Sequence, residues 1–114
     1  SEHIKNAERI YKLDSIKPSK ILAEKTGCSL KGLQEIVKKG QGAYYSSGSR
    51  PNQTPHSWGI ARLASAITGG KSSQIDFHIL EKYCKSNSKA LKLAKNSKYR
   101  NNIRKTQKIK LKLK

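Results

Sequence analysis

The stretch that most limits what this chain can fold into is its last quarter. Residues 85–114 carry 12 Lys and Arg side chains and no Asp or Glu, whereas residues 1–84 carry 13 basic and 7 acidic ones. A segment of a single charge sign repels itself and has little apolar surface to bury. A globular body is therefore expected from residues 1–84, with residues 85–114 as a Lys-rich basic tail. Such a block gains affinity for a polyanion by releasing condensed counterions. Nucleic acid, with DNA first, is the expected partner; an anionic membrane surface or an acidic protein comes next, and a merely solvated tail is the bland alternative.

The body itself has little to bury. Only 34% of the 114 residues are apolar, with one Phe and no Met, which limits the chain to one small domain and leaves room for stabilisation by a partner. No apolar run approaches the roughly 20 residues that span a bilayer, and the first residues lack the apolar core of a signal peptide. The sequence reads as a soluble, non-secreted protein. Two cysteines, Cys28 and Cys84, lie outside any CxxC pair, and reduced intracellular thiols are expected.

Apolar spacing and stop signals predict an all-α fold. "EHIKNAERIYKL" reads as a short amphipathic helix, and "DSIKPSKILAEKTG" as a second that starts near Pro18 and stops at Gly27. "CSLKGLQEIVKKG" reads as a third, capped by Ser29, carrying Leu30, Leu33, Ile36 and Val37 on one side and ending at Gly40. A long irregular loop is expected from Gly40 to Thr54. Thr54 and Pro55 form a cap and first-turn pair that opens a central helix closing at Gly69 and Gly70. "IDFHILEKYC" reads as one further helix, and "SKALKLAKNSKYR" as a short basic one. The closing "KIKLKLK" alternates strictly, the pattern of a strand able to add to a partner's sheet edge, or of a disordered end.

Four constellations bear on function. In "ILAEKTGCSLKGLQEIVKKG", Ala23, Gly27, Leu33 and Ile36 have the spacing of a helix-turn-helix, with Cys28 in the buried place after the turn. The segment resembles the helix-turn-helix of bacterial repressors of the lactose type. The resemblance implies that Ser29, Leu30, Lys31 and Gln34 face a major groove, with Lys38 and Lys39 near phosphates. Leu30, Gly32 and Glu35 depart from a good recognition helix, and a purely structural hairpin has the same spacing. "TGGKS" is half a phosphate-binding loop, but Ser65 stands where the first glycine is required. His3, His56 and His78 are scattered without zinc-ligand spacing, and Asp76 and His78 form no dyad. No metal, no cofactor and no enzymatic activity are expected. Finally, Tyr44, Tyr45, Arg50, Trp58 and Arg62 gather aromatic and cationic groups in one segment. They offer either a base-stacking or phosphate surface, with Arg62 over the Trp58 ring, or a means of knitting a long loop onto a small core.

The ordered series "KGQGAYY", "SGSRP", "WGIAR" and "TGGK" with Asp76 resembles an uncharacterised protein family of tailed phages and large eukaryotic DNA viruses, over roughly residues 19–80. The resemblance implies a viral source and no particular activity. The sequence thus leads to a non-enzymatic, virion-associated DNA-binding protein, located in the virion and in the host nucleus or cytoplasm during infection. Lys89, Lys92, Lys95, Lys98, Arg100, Arg104, Lys105, Lys108, Lys110, Lys112 and Lys114 would contact phosphates, assisted by Lys31, Lys38 and Lys39. The alternatives are a minor capsid or core protein whose tail meets other virion proteins, and a helix-turn-helix transcription regulator. The oligomeric state is open.

Overall fold

Thr54 and Pro55 open the central element as their types dictate. The Ser57 amide donates to Thr54 Oγ1 at 3.0 Å and the Thr54 amide to Ser57 Oγ at 3.1 Å, a reciprocal cap on the helix Pro55–Ile67. The computed structural model describes residues 2–46 and 53–112, with side chains as far as Ile103. Over these residues the chain is a compact all-α globule of seven helices with no strand. They are α1 (Glu2–Tyr11), α2 (Lys20–Thr26), α3 (Leu30–Ser46), α4 (Pro55–Ile67), α5 (Lys71–Ile75), α6 (Phe77–Tyr83) and α7 (Lys89–Lys112). Ile60, Leu63, Ala64, Ser65, Ala66 and Ile67 are all buried, so α4 is covered on nearly every side, by α1, α3, α5 and α7. Tyr11, itself buried, donates from its hydroxyl to the Ile67 carbonyl and so ties α1 to the free carbonyls at the end of α4.

The third helix does not end at Gly40. It runs on to Ser46, so the segment expected to be irregular from Gly40 begins only after that residue. A Cβ added at Gly40 would lie 2.6 Å from the Cα of Gly59, and one at Gly59 would lie 2.6 Å from the Val37 carbonyl oxygen. Gly40 is thus the point at which α3 and α4 touch backbone to backbone. Gly32 serves α6 similarly, since its Cβ would meet that of Tyr83 at 2.4 Å.

The segment "IDFHILEKYC" holds one helix, as expected, but it begins at Phe77: Ile75 ends the separate α5, and Asp76 between them has a fully buried side chain. The thiols expected to be free are joined. Gly27 ends α2 at φ 79°, and the chain then runs antiparallel to residues 83–85: Ser29 donates to the Tyr83 carbonyl at 2.8 Å and Lys85 to that of Gly27 at 2.9 Å. Between these bonds Cys28 pairs with Cys84 and their sulfurs form a disulfide. A separation of 56 residues concealed the pairing.

The basic segment departs most from expectation. It forms a single helix to Lys112, so residues 108–112 are helical and not extended; Leu113 and Lys114 lie outside the described residues. Alternation favours a strand only where a neighbouring ladder can take it up. Lys and Leu are also good helix formers, extending an existing helix needs no new nucleus, and cations suit a helix C-terminus. The start of α7 belongs to the body: Ser88 caps it, accepting from the Leu91 amide at 3.3 Å, and Ala90, Leu91 and Ala94 join the core. The packed body therefore extends beyond residue 84.

Candidate nucleic-acid interface

Helix α7 has two parts. Up to Ala94 it packs with one face inward; from Lys95 to Ile103 every side chain is exposed except that of Ser97, which is half-buried. This basic arm continues a helix that is fixed at its root. A helix of this length extends about 36 Å, so its far end reaches well past the three buried residues that anchor it.

The cations expected to meet phosphates have different situations. Lys89 donates to the Ile10 carbonyl at 3.4 Å, and its ammonium lies 5.6 Å from the centre of the Tyr11 ring. It holds α7 against the C-terminal end of α1. Lys98 stands 4.5 Å over the Phe77 ring. Lys92, Lys95 and Arg100 are exposed and have no acidic partner among the described residues. Arg104, Lys105, Lys108, Lys110 and Lys112 continue along the helical backbone, with side chains outside the described set, as is the whole of Lys114.

The turn between α2 and α3 takes the shape its spacing predicts. Leu33 and Ile36 are buried, Gly27 adopts the left-handed conformation, and Lys31, Gln34 and Lys38 are exposed. Ser29 is exposed, but its hydroxyl accepts from the Gly32 amide at 3.2 Å. Leu30 is half-buried, and Lys39 reaches His78 Nε2 at 3.2 Å. Five members of that set, Ser29, Lys31, Gln34, Lys38 and Lys39, thus face solvent, Ser29 engaged at the helix start and Lys39 with His78.

The aromatic segment is used mainly inside the protein. Tyr44 is buried, donates to the Gln53 carbonyl at 3.2 Å, and meets Trp58 edge-on at 6.3 Å. Arg62 turns to Asp76: Nε and Nη2 donate to the two carboxylate oxygens, each at 2.8 Å. Those bonds raise the pKa of the guanidinium above its ordinary value, so Arg62 keeps its charge as the partner of a buried acid. Tyr45 remains outward, 73% exposed. Arg50 lies outside the described residues.

At "TGGKS" two of the amides that could meet a phosphate are already engaged. Ser72 donates to Ser65 Oγ at 3.1 Å and Gly70 to the Ser65 carbonyl at 2.8 Å. The serine that breaks the phosphate-loop spacing thus fills its place. Among the described residues no three His, Cys, Asp or Glu side chains come together as metal ligands would, and no helix is long and apolar enough to cross a membrane.

Sequence reasoning missed three working residues. The motif series does not mark Asp76 as the acid for Arg62, the charge run does not set Lys89 apart from the free cations, and the spacing does not join Cys84 to Cys28. An even cysteine count was the available signal for the last; the other two depend on contacts between helices distant in sequence. With this geometry the chain belongs to the DUF5824 family, a family of unknown function whose profile matches residues 1–82. No curated protein and no solved structure matches it. The family match stops within α6, so all of α7 lies beyond it.

Proposed function

We propose that this DUF5824 chain is a non-enzymatic DNA-binding protein of a virus, carried in the particle, which holds duplex DNA largely without regard to sequence through the arm of α7. The observation that carries the reading is the coincidence of two facts. Residues 85–114 contain 12 basic and no acidic side chains, and ten of the basic residues lie on α7, whose first turns are locked into the core. A helix already ordered loses less conformational entropy on binding than a disordered tail, and its cations arrive with fixed spacing. Each phosphate contact then releases condensed counterions, which gives affinity without sequence information.

The viral setting rests on the resemblance of the motif series from "KGQGAYY" to "TGGK". A disulfide between Cys28 and Cys84 suits a particle that spends time outside the reducing cell interior. Within the host, the nucleus or cytoplasm is the place of action in this reading. A second reading, a minor capsid or core protein, draws support from Tyr99 and Ile103, exposed one turn apart on the arm, where a neighbouring protein would cover them.

Fluorescence anisotropy of the full chain with several unrelated 20-base-pair duplexes tests the proposal. Equal affinities are expected, with log K falling against log salt at a slope of about −5, the value for roughly six phosphate contacts. A slope shallower than about −2, or failure to bind any duplex, would overturn it and favour the protein-facing reading.

A further inference from the structure

Among the described residues, one glycine, Gly42, is pressed against nothing inside the protein. Helix α3 contains three: Gly32 seats Tyr83 and Gly40 seats Gly59, but a Cβ added at Gly42 would meet nothing within 4 Å. Gly42 is exposed, its φ is an ordinary helical one, and the helix continues past it to Ser46. Glycine in an exposed helix interior weakens the helix relative to alanine, and neither packing among the described residues nor backbone conformation accounts for it.

Its neighbours on the surface give it a context. Lys31, Gln34, Lys38, Gly42 and Tyr45 recur at intervals of three and four residues, which places them on one face of α3 over about 21 Å. All five are exposed, and Tyr45 is 73% so. Neither Lys31 nor Lys38 has an acidic partner among the described residues; Glu35, half-buried, lies at the edge of this face. The N-terminal end of α3 is fixed in place by the Cys28–Cys84 disulfide and the two flanking backbone bonds.

We infer that this outer face of α3 is a second contact surface for duplex DNA, separate from the α7 arm, with Gly42 marking where the sugar-phosphate backbone comes closest. The inference rests on the reading of the protein as a DNA binder. Two unpaired cations match the charge of a phosphate ridge, Gln34 between them has the donors and acceptor to reach a base edge or phosphate, and Tyr45 supplies an aromatic hydroxyl at the far end. The missing side chain at Gly42 removes the obstacle that any other residue would put between helix backbone and ligand.

The test uses the full chain, anisotropy on one duplex and thermal melting. Gly42→Gln is expected to raise Tm, because glutamine is the better helix former, while weakening DNA binding about tenfold; a merely structural glycine would not move the two in opposite directions. The double substitution Lys31→Gln/Lys38→Gln, at exposed positions, is expected to reduce the salt slope by about 2. Unchanged affinity and slope in both variants, beside weakened binding by Lys92→Gln/Lys95→Gln/Arg100→Gln, would overturn this surface and leave the arm standing. Loss of self-association with unchanged DNA affinity would overturn it in favour of a protein partner. A wild-type chain that binds no duplex would overturn the arm as well.

Discussion

Replacing Arg62 by methionine leaves the Asp76 carboxylate without the two donors that hold it. Asp76 is 0% exposed and Arg62 19%, with both bonds at 2.8 Å, so the acid is stranded while the guanidinium it loses was partly hydrated. Breaking a buried pair from one side costs about 3–5 kcal/mol, and the partial exposure of Arg62 places this case near the lower figure, about 3 kcal/mol. Domains of this kind are stable by about 5–15 kcal/mol, so the loss is a large share of the total. Urea unfolding followed through Trp58, the single tryptophan, reports it directly. With m near 2 kcal/mol/M the midpoint should fall by about 1.5 M. Arg62→Met/Asp76→Asn, which removes the stranded charge as well, should recover most of that shift, and its DNA affinity should match the wild type. A single variant that costs under about 1 kcal/mol, or a double variant no more stable than the single, would refute the argument. Loss of DNA affinity in the stable double variant would return Arg62 to a phosphate-facing role.

The glycines of α3 should respond in opposite ways: Gly40→Ala should destabilise by about 1–3 kcal/mol through collision with Gly59, whereas Gly42→Ala should stabilise by up to about 1 kcal/mol, both read by urea unfolding. Burial raises the Tyr11 phenol well above its ordinary value, so the folded state keeps a proton that the unfolded chain releases near pH 10. Stability contributed there is complete below pH 10 and declines above it by about 1.4 kcal/mol per pH unit, and Tyr11→Phe should remove that component from a stability–pH profile measured beside the wild type. Replacing both Cys28 and Cys84 by alanine should cost about 2–4 kcal/mol, and non-reducing peptide mapping should find the two residues in one linked fragment; a free thiol at either position would contradict the pairing.

What could be read in the sequence was what neighbouring residues decide. Thr54 and Pro55 cap their helix, Gly27 turns the chain, and Leu33 and Ile36 point inward because spacing and type alone determine those outcomes. Gly40 misleads because a glycine that ends a helix and one that lets two helices touch look alike until the second helix is in place. For Arg62, the i+4 relation to Trp58 is visible in the sequence, but Asp76, 14 residues away, which accepts from two of its donors, is not. "KIKLKLK" carries a strand-like alternation, yet the chain enters it from a helix already formed, and propensity favours continuing. In the interface the charge was plain, but its sorting was not: Lys89 and Lys98 resemble Lys92 and Lys95 until Tyr11 and Phe77 are brought beneath them.

The central claim is that the α7 arm, fixed by its buried root, carries the polyanion contact. Four substitutions along it, Lys95→Gln, Arg100→Gln, Lys108→Gln and Lys112→Gln, leave Ala90, Leu91 and Ala94 untouched and so preserve the docking. Salt titrations of duplex binding by this variant should lose about 3–4 units of slope relative to the wild type. Lys12→Gln/Lys17→Gln/Lys20→Gln, on exposed positions of the body, should leave the slope unchanged. Equal slopes for the arm variant and the wild type, or a larger loss in the body control, would contradict the account.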